Sequence, residues 1–425
     1  MTSTTKILAT GLLVLAGLVP IMAQDVKSNA EADKPTISVS GFVKAEGMYD
    51  TRQIVEAREG YLLLYPKNVK LDKNGKDINA KGSFNQYDMM ARFTAKITGP
   101  NVLGAKTMAL IEGDFTGASE SENNSFRLRH AYIKLKWNHA GVIAGQYWHP
   151  TNVPEMIPNV LALNTGAPFH PFSRQPLIQA NANWGKFNAL FAIISQRDYM
   201  DKGPALAGTP PSSTPIASTT YMRNSILPNL HAQVQYVSPT LFAGAGIDFK
   251  RLTPRIVTDS NYATKNAVNC LSYMAFAMVK TKPMIVKMQV IYGQGLNEHL
   301  VMGGYAVTHT DPLTNQQDYS ALNYLSTWVN VQTTGKTWQG SIFAGYTKGY
   351  GCKDEVKGPV YARDADIAYV YRVSPMVSYI SGKLTLAAEC EYTVAAYGKP
   401  DSKYVVQNSS EVANTRLSFS IGYSF

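Results

Sequence analysis

After its first two dozen residues, the 425-residue chain has no long apolar run. A helix crossing a bilayer needs about 20 consecutive apolar residues. The later apolar stretches are interrupted every few residues by Ser, Gln, Lys or Gly. A helical membrane protein is therefore excluded, and any crossing must be made by a closed barrel. Cysteine is scarce: Cys270, Cys352 and Cys390 are too few, and odd in number, for a disulfide framework. With no CxxC pair and no Cys/His cluster at zinc spacing, no metal and no cofactor is expected. Blocks of charge are missing too. The formal net charge is +10, yet Lys and Arg are scattered singly, with no basic helix, so nucleic acid is not an expected partner. Seven histidines occur without a GxSxG-like serine context, and nothing points to a nucleophilic enzyme.

What is present begins with a secretory signal. Lys6 precedes the apolar run Ile7 to Val19, then Pro20 and a small-residue exit at Ala23-Gln24, which predicts cleavage after Ala23. Residues 24–35 are polar and read as a periplasmic lead-in. From residue 36 onwards, segments with a period of two recur between Gly/Pro/Asn/Asp-rich breaks. In Lys383–Val394, Leu384, Leu386, Ala388, Cys390, Tyr392 and Val394 alternate with Lys383, Thr385, Ala387, Glu389, Glu391 and Thr393. In Gln86–Ile97, Tyr87, Met89, Ala91 and Phe93 are expected on the apolar face and Asp88, Met90 and Arg92 on the polar one. At the C-terminus Leu417, Phe419, Ile421, Tyr423 and Phe425 share a greasy face against Arg416, Ser418, Ser420, Gly422 and Ser424. One face for lipid and one for water is the pattern of a transmembrane strand.

Strands are expected at 36–49, 84–98, 105–115, 125–137, 140–148, 177–184, 186–197 and 228–237. The remainder fall at 240–251, 267–280, 284–293, 319–333, 337–347, 366–380, 383–395 and 412–425. Short turns follow the even-numbered strands, among them Gly99-Pro100-Asn101, Trp184-Gly185 and Ser381-Gly382, while long loops such as 50–83, 149–176, 198–227, 294–318 and 348–365 follow the odd ones. The fold class is thus all-β: an antiparallel up-and-down transmembrane barrel of about 16 strands, with short periplasmic turns and long external loops. A soluble sandwich has no reason to alternate turn length so strictly. One barrel domain, 36–425, is expected, its last strand pairing with the one starting near Thr36.

The loop after the fifth strand carries Met156, Ile157, Val160, Leu161, Leu163, Phe169 and Phe172, too apolar for a loop in water. Folded into the lumen it would narrow the pore, with His149, Glu155, Asn164, His170 and Arg174 as constriction residues; the alternative is packing over a subunit contact or the rim. Parity assigns to the pore wall Lys44, Glu46, Asp88, Arg92, Lys96, Glu112, Asp114, Lys134, Lys136, Asp248, Lys250, Lys287, Arg372, Glu389, Glu391 and Arg416. Arg127 and Arg129 break parity, sharing a face with Ala131, Ile133 and Leu135. They sit above the membrane, at a subunit contact, or inward because a β-bulge near His130 flips the register. Asp72–Asp77 echoes a calcium loop but lacks the closing acid, and Asn74-Gly75 predicts a tight turn. Gly203–Pro215 reads as an external loop tip.

The motifs RLRHAYI (Arg127–Ile133), GQYW (Gly145–Trp148) opening the long loop, and the last strand ending in Phe425 resemble the trimeric porins, most nearly the DcaP-like group. The resemblance implies a sixteen-stranded barrel, a homotrimer, an inward loop at 149–176 and a preference for small anionic solutes. It also implies assembly by the barrel-assembly machinery through Tyr423 and Phe425, in an outer membrane of lipid and lipopolysaccharide. The expected function is passive passage of small anionic or neutral solutes. The alternatives are an adhesin or structural barrel without conductance, and a barrel enzyme of lipase or protease type.

Overall fold

The computed structural model describes residues 34–205, 215–363 and 365–425. The signal segment, most of the lead-in and most of the Gly203–Pro215 tip lie outside the described residues. The main sheet has seventeen strand segments. Two of them, Ser83–Tyr87 and Arg92–Val102, are halves of one interrupted strand, giving a sixteen-stranded barrel.

In chain order the strands are β1 (Thr36–Asp50), β2 (those two halves), β3 (Ala105–Asp114), β4 (Arg127–Lys136), β5 (Ala140–Trp148), β6 (Arg174–Trp184), β7 (Phe187–Ile194) and β8 (Asn229–Val237). Then follow β9 (Leu241–Leu252), β10 (Val268–Lys280), β11 (Met284–Gly293), β12 (Tyr324–Thr333), β13 (Trp338–Gly349), β14 (Ile367–Ser381), β15 (Leu384–Pro400) and β16 (Val406–Ser424). Each pairs antiparallel with its sequence neighbours. The barrel closes where β1 meets β16, with Phe42 opposite Ser424 and Asp50 opposite Arg416. Closure leaves no open edge.

Alternation decides which way each residue faces. On β16, Asn414, Arg416 and Ser418 are buried inside, whereas Phe419, Ile421, Tyr423 and Phe425 stand exposed on the outer wall. The same holds around the barrel: Ile133, Ile178, Val234, Val290, Ile342 and Val377 are exposed outside, and polar side chains fill most inward positions. This inverts a soluble core and is the surface that a hydrocarbon solvent selects. No helix among the described residues is long and apolar enough to cross a membrane.

Three local expectations are corrected. The turn between β2 and β3 is at Leu103–Gly104, both at positive φ, not at Gly99-Pro100-Asn101, which extends the hairpin instead. The last external connection is not a long loop: β15 and β16 continue past the belt to the turn 401–405, where the Asp401 carboxylate accepts the Lys403 and Val405 amides. Third, residues 88–91 interrupt β2. Tyr87 pairs with Glu46 and Arg92 with Phe42, so four residues of β2 face three of β1. The extra residue reverses parity. Tyr87 and Met89 are therefore buried, and Asp88 is exposed on the outer wall instead of lining the pore.

Candidate functional site

Two segments fold back into the barrel. The loop 149–173 crosses the interior and is held to the wall opposite its root. The Leu161 and Ala162 amides donate to Glu389 Oε2, each at 3.1 Å. Lys287 Nζ donates to the Ile157 carbonyl at 2.6 Å, and Lys44 Nζ to the Leu161 carbonyl at 3.2 Å. Asn330 Oδ1 accepts the Asn159 amide, and Ser341 Oγ donates to the Asn159 carbonyl. Beneath these bonds, Met156, Leu163, Phe169 and Phe172 are buried among Met274, Phe276, Trp328 and Phe343 of the wall. The apolar residues of the loop thus meet inward apolar residues of β10–β13, a local departure from the polar interior.

The second insert, the hairpin Ile54–Ala57 with Leu62–Pro66, was not anticipated, although the run Tyr61-Leu-Leu-Leu-Tyr65 signals it. All five residues of its second strand are buried. Arg372 binds both inserts: its guanidinium donates to the Ala167, Leu63 and Leu64 carbonyls and pairs with Glu391 at 3.1 Å. Arg416 is bonded to Asp50 and to the Gly60 and Tyr61 carbonyls. Tyr61 hydroxyl is bonded to Glu46, which pairs with Lys44 at 2.7 Å.

Elsewhere on the wall, β4 carries the parity-breaking arginines and β3 their acidic partners. Glu112 pairs with His130 but Gly113 with Leu128, so Arg129 is the extra residue of a bulge and the register flips there. Both arginines point inward: Arg127 Nε meets Asp114 at 2.9 Å, and Arg129 meets Glu112 and Asp114 at 2.8 Å each. Arg92 is 3.8 Å from Glu112. Arg174 lies over the Trp148 and Phe172 rings and pairs with Asp198 at 2.6 Å.

A third cluster packs under the loop root. His149 Nε2 is 2.7 Å from Asn229 Oδ1, which anchors the start of the loop, and His231 Nδ1 is 3.1 Å from Asp248. Lys250 Nζ bridges Asp201 at 2.5 Å and Glu298 at 2.9 Å. Burial raises the Glu298 carboxyl above its ordinary value and lowers the His149 imidazole to about 4 and that of His170 to about 3. His149, Glu298 and His299 bring ligand atoms within 4.8 Å of one another. Each is already engaged, His149 with Asn229, His299 Nδ1 with Ser173, Glu298 with Lys250, and the ammonium opposes a cation there.

Ten of the eighteen expected wall charges are therefore buried and engaged, while Asp88, Lys96 and Lys136 are exposed. Within the loop, His149, Asn164, His170 and Arg174 are sealed anchors and do not face water; of the expected five only Glu155 is exposed. The accessible interior lies along β4–β8. There Lys134, Tyr147, Gln179, Asn181, Asn188 and Gln235 border a cavity of about 170 Å³ closed on one side by Pro150–Glu155. Charge alone does not find those amides, although period-two alternation points to them equally. Nearby, Lys96, Lys106, Lys134 and Lys136 take inward positions on β2–β4, with Lys106 directly opposite Lys136. Among the described residues, the lysines that pair with carboxylates are Lys44, Lys250 and Lys357, and none of these four does.

No family model and no curated protein matches the chain. Solved structures do. The outer-membrane channel DcaP of Acinetobacter baumannii aligns with a TM-score of 0.65 at 15% identity, covering 94% of this chain and 99% of that one. An anion-selective porin from Comamonas acidovorans gives 0.54 at 10%, covering 92% and 100%. The trimer form of OmpT from Vibrio cholerae gives 0.53 at 9%, covering 92% and 100%. At these identities the likeness is one of fold: the chain has the sixteen-stranded barrel of the DcaP channel and other porins.

Proposed function

We propose that the protein is a passive channel of the bacterial outer membrane for small hydrophilic solutes, with a modest preference for anions. The observation that carries this reading is the loop 149–173, bonded across the interior of a barrel whose outer wall is apolar, with accessible polar space left along β4–β8. The loop acts as the constriction. The anion preference rests on Lys96, Lys106, Lys134 and Lys136, because most other interior cations pair with carboxylates and Lys287 is engaged by the Ile157 carbonyl. A one-signed patch in a confined passage raises the local concentration of the opposite ion. Neighbours of the same fold include a channel and an anion-selective porin, in keeping with this reading.

The chain would reach the membrane through a cleaved signal at 1–23 and be inserted through its last strand. Homotrimer assembly is supported by the outer wall. Asp88 and Gln86 line an outer groove with Gly47, Phe84, Phe419 and Ile421. A charge facing lipid is destabilising, by up to about 2–4 kcal/mol for Arg or Lys at mid-membrane and less for a carboxylate. A subunit contact there removes that cost. The loop just above, residues 67–82, exposes Val69, Leu71 and Ile78, which a neighbouring subunit would cover.

A hydrolase reading would start from Ser173, whose Oγ lies 2.7 Å from His299 Nδ1. Both are sealed in the loop root, so the contact serves to fix the loop. The deciding experiment is conductance of the purified protein in planar bilayers. Stepwise channels with an anion-favouring reversal potential are expected; membranes that stay silent would support a non-conducting adhesin or structural barrel. Esterase or protease turnover abolished by Ser173→Ala would revive the enzyme.

A further inference from the structure

We propose that the cavity beside the loop binds a neutral polyhydroxylated solute, of the sugar or polyol class, during passage; this rests on the channel reading above. The cavity is bounded by the inward residues of three consecutive strands: Gln179 and Asn181 on β6, Asn188 on β7, Gln233 and Gln235 on β8. In register, Asn188 lies opposite Gln235, and Asn181 and Gln233 flank Leu190, so the five carboxamides gather around one apolar side chain on neighbouring strands.

A carboxamide presents a donor and an acceptor without charge. A wall of them is matched by groups that also donate and accept, which is the chemistry of the hydroxyl. A carboxylate or phosphate only accepts and would strand the amide oxygens; an ammonium only donates and would strand the amide N–H groups. Stranding a desolvated polar group costs more than a typical hydrogen bond returns. Two of the oxygens are engaged within the protein, Gln235 Oε1 by Asn188 Nδ2 at 2.7 Å and Gln233 Oε1 by His231 Nε2 at 3.1 Å, while Asn188 Oδ1 is buried without a partner and available to a donor.

The charges at the border, Lys134 and Glu155, are opposite in sign and cancel at the cavity, whereas Lys96, Lys106 and Lys136 lie outside its lining. Carboxamides occur elsewhere inside the barrel, but Asn330 and Asn414 are spent on the loop and on Asp50, whereas the group on β6–β8 borders open space. Tyr147 and Trp148 complete the border, and aromatic rings supply the apolar surface that the C–H face of a sugar ring covers. The volume of about 170 Å³ holds roughly six waters. Their displacement by one ring with several hydroxyls exchanges like for like.

The test titrates full-length protein in detergent with D-glucose, following tryptophan fluorescence and heat, with malonate as the anionic control. Saturable glucose binding is expected, weakened at least tenfold in an Asn181→Leu/Gln233→Leu variant whose circular dichroism shows an intact barrel. If that variant does not fold, Gln235→Glu takes its place and is expected to weaken glucose binding. Absence of saturable binding, equal affinity in the variant, or binding of malonate but not glucose would overturn the proposal. Bilayer conductance is measured separately. Glucose binding in a protein that forms no channel would overturn the channel reading and leave the ligand class standing.

Discussion

The bond pair between Glu389 and the loop tip offers the sharpest test of the loop as a constriction. In Glu389→Leu the amides of Leu161 and Ala162 lose their only carboxylate acceptor, held at 3.1 Å in the native protein. A buried donor left unpaired costs about 1–3 kcal/mol, so two cost roughly 2–6 kcal/mol. Ala162 is only half-buried and water can relieve it, which places the effect near the lower half of that range. The other ties of the loop, from Lys44, Lys287, Asn330 and Ser341, remain, and so does its apolar underside. The barrel should therefore fold while the tip opens more often. A loss of about 3 kcal/mol corresponds to roughly a hundredfold rise in the open population, at about 1.4 kcal/mol per factor of ten. Single-channel recording should show added flicker and larger mean conductance, and amide exchange at Leu161 and Ala162 should accelerate. Conductance and noise identical to wild type, with faster exchange at those two amides, would refute the loop as the constriction.

Replacing Arg372 by Met strands Glu391 and three carbonyls, and breaking a buried pair costs about 3–5 kcal/mol. A lower unfolding temperature and new proteolysis within 54–66 should be measurable together. Changing Lys96, Lys106, Lys134 and Lys136 to Gln should move the reversal potential in a salt gradient towards non-selectivity without abolishing channels; an unchanged potential would place the anion preference elsewhere. His170 is neutral in its buried site, its imidazole lowered to about 3 by burial. A lowered folded pKa contributes stability that is complete above the unfolded value of about 6.5 and is lost as pH falls towards 3. Thermal melts from pH 7 to 4 should therefore decline less steeply in His170→Phe than in the native protein.

How much was legible in the sequence varied with the kind of interaction. Alternation along Lys383–Val394 and Leu417–Phe425 is a local property of strands, and lipid outside with water inside gives it one meaning. The loop at 149–173 announced its burial because Met156, Phe169 and Phe172 have no place in solvent. The hairpin at 54–66 carried the same kind of signal in Tyr61–Tyr65. Asp88 could not be placed by periodicity, since one extra residue in β2 reverses every following position. Arg127 and Arg129 illustrate the same physics: their broken parity was visible, but the bulge at Arg129 that turns them inward is set by pairing with β3.

The sequence by itself determined the architecture, because one amphipathic period repeated sixteen times has a single way to satisfy every backbone group in a membrane. It also determined the closing pair, since β16 and β1 are the two strands left without a second sequence neighbour. Only the tertiary structure decided which polar residues meet water. Of the charged residues that parity places inside, most are consumed by one another or by the backbone of the two inserts. The free ones, and the uncharged amides between them, are defined by where those inserts come to rest, which depends on contacts such as Glu389 to Leu161 between residues more than two hundred positions apart. No local pattern encodes such a distance.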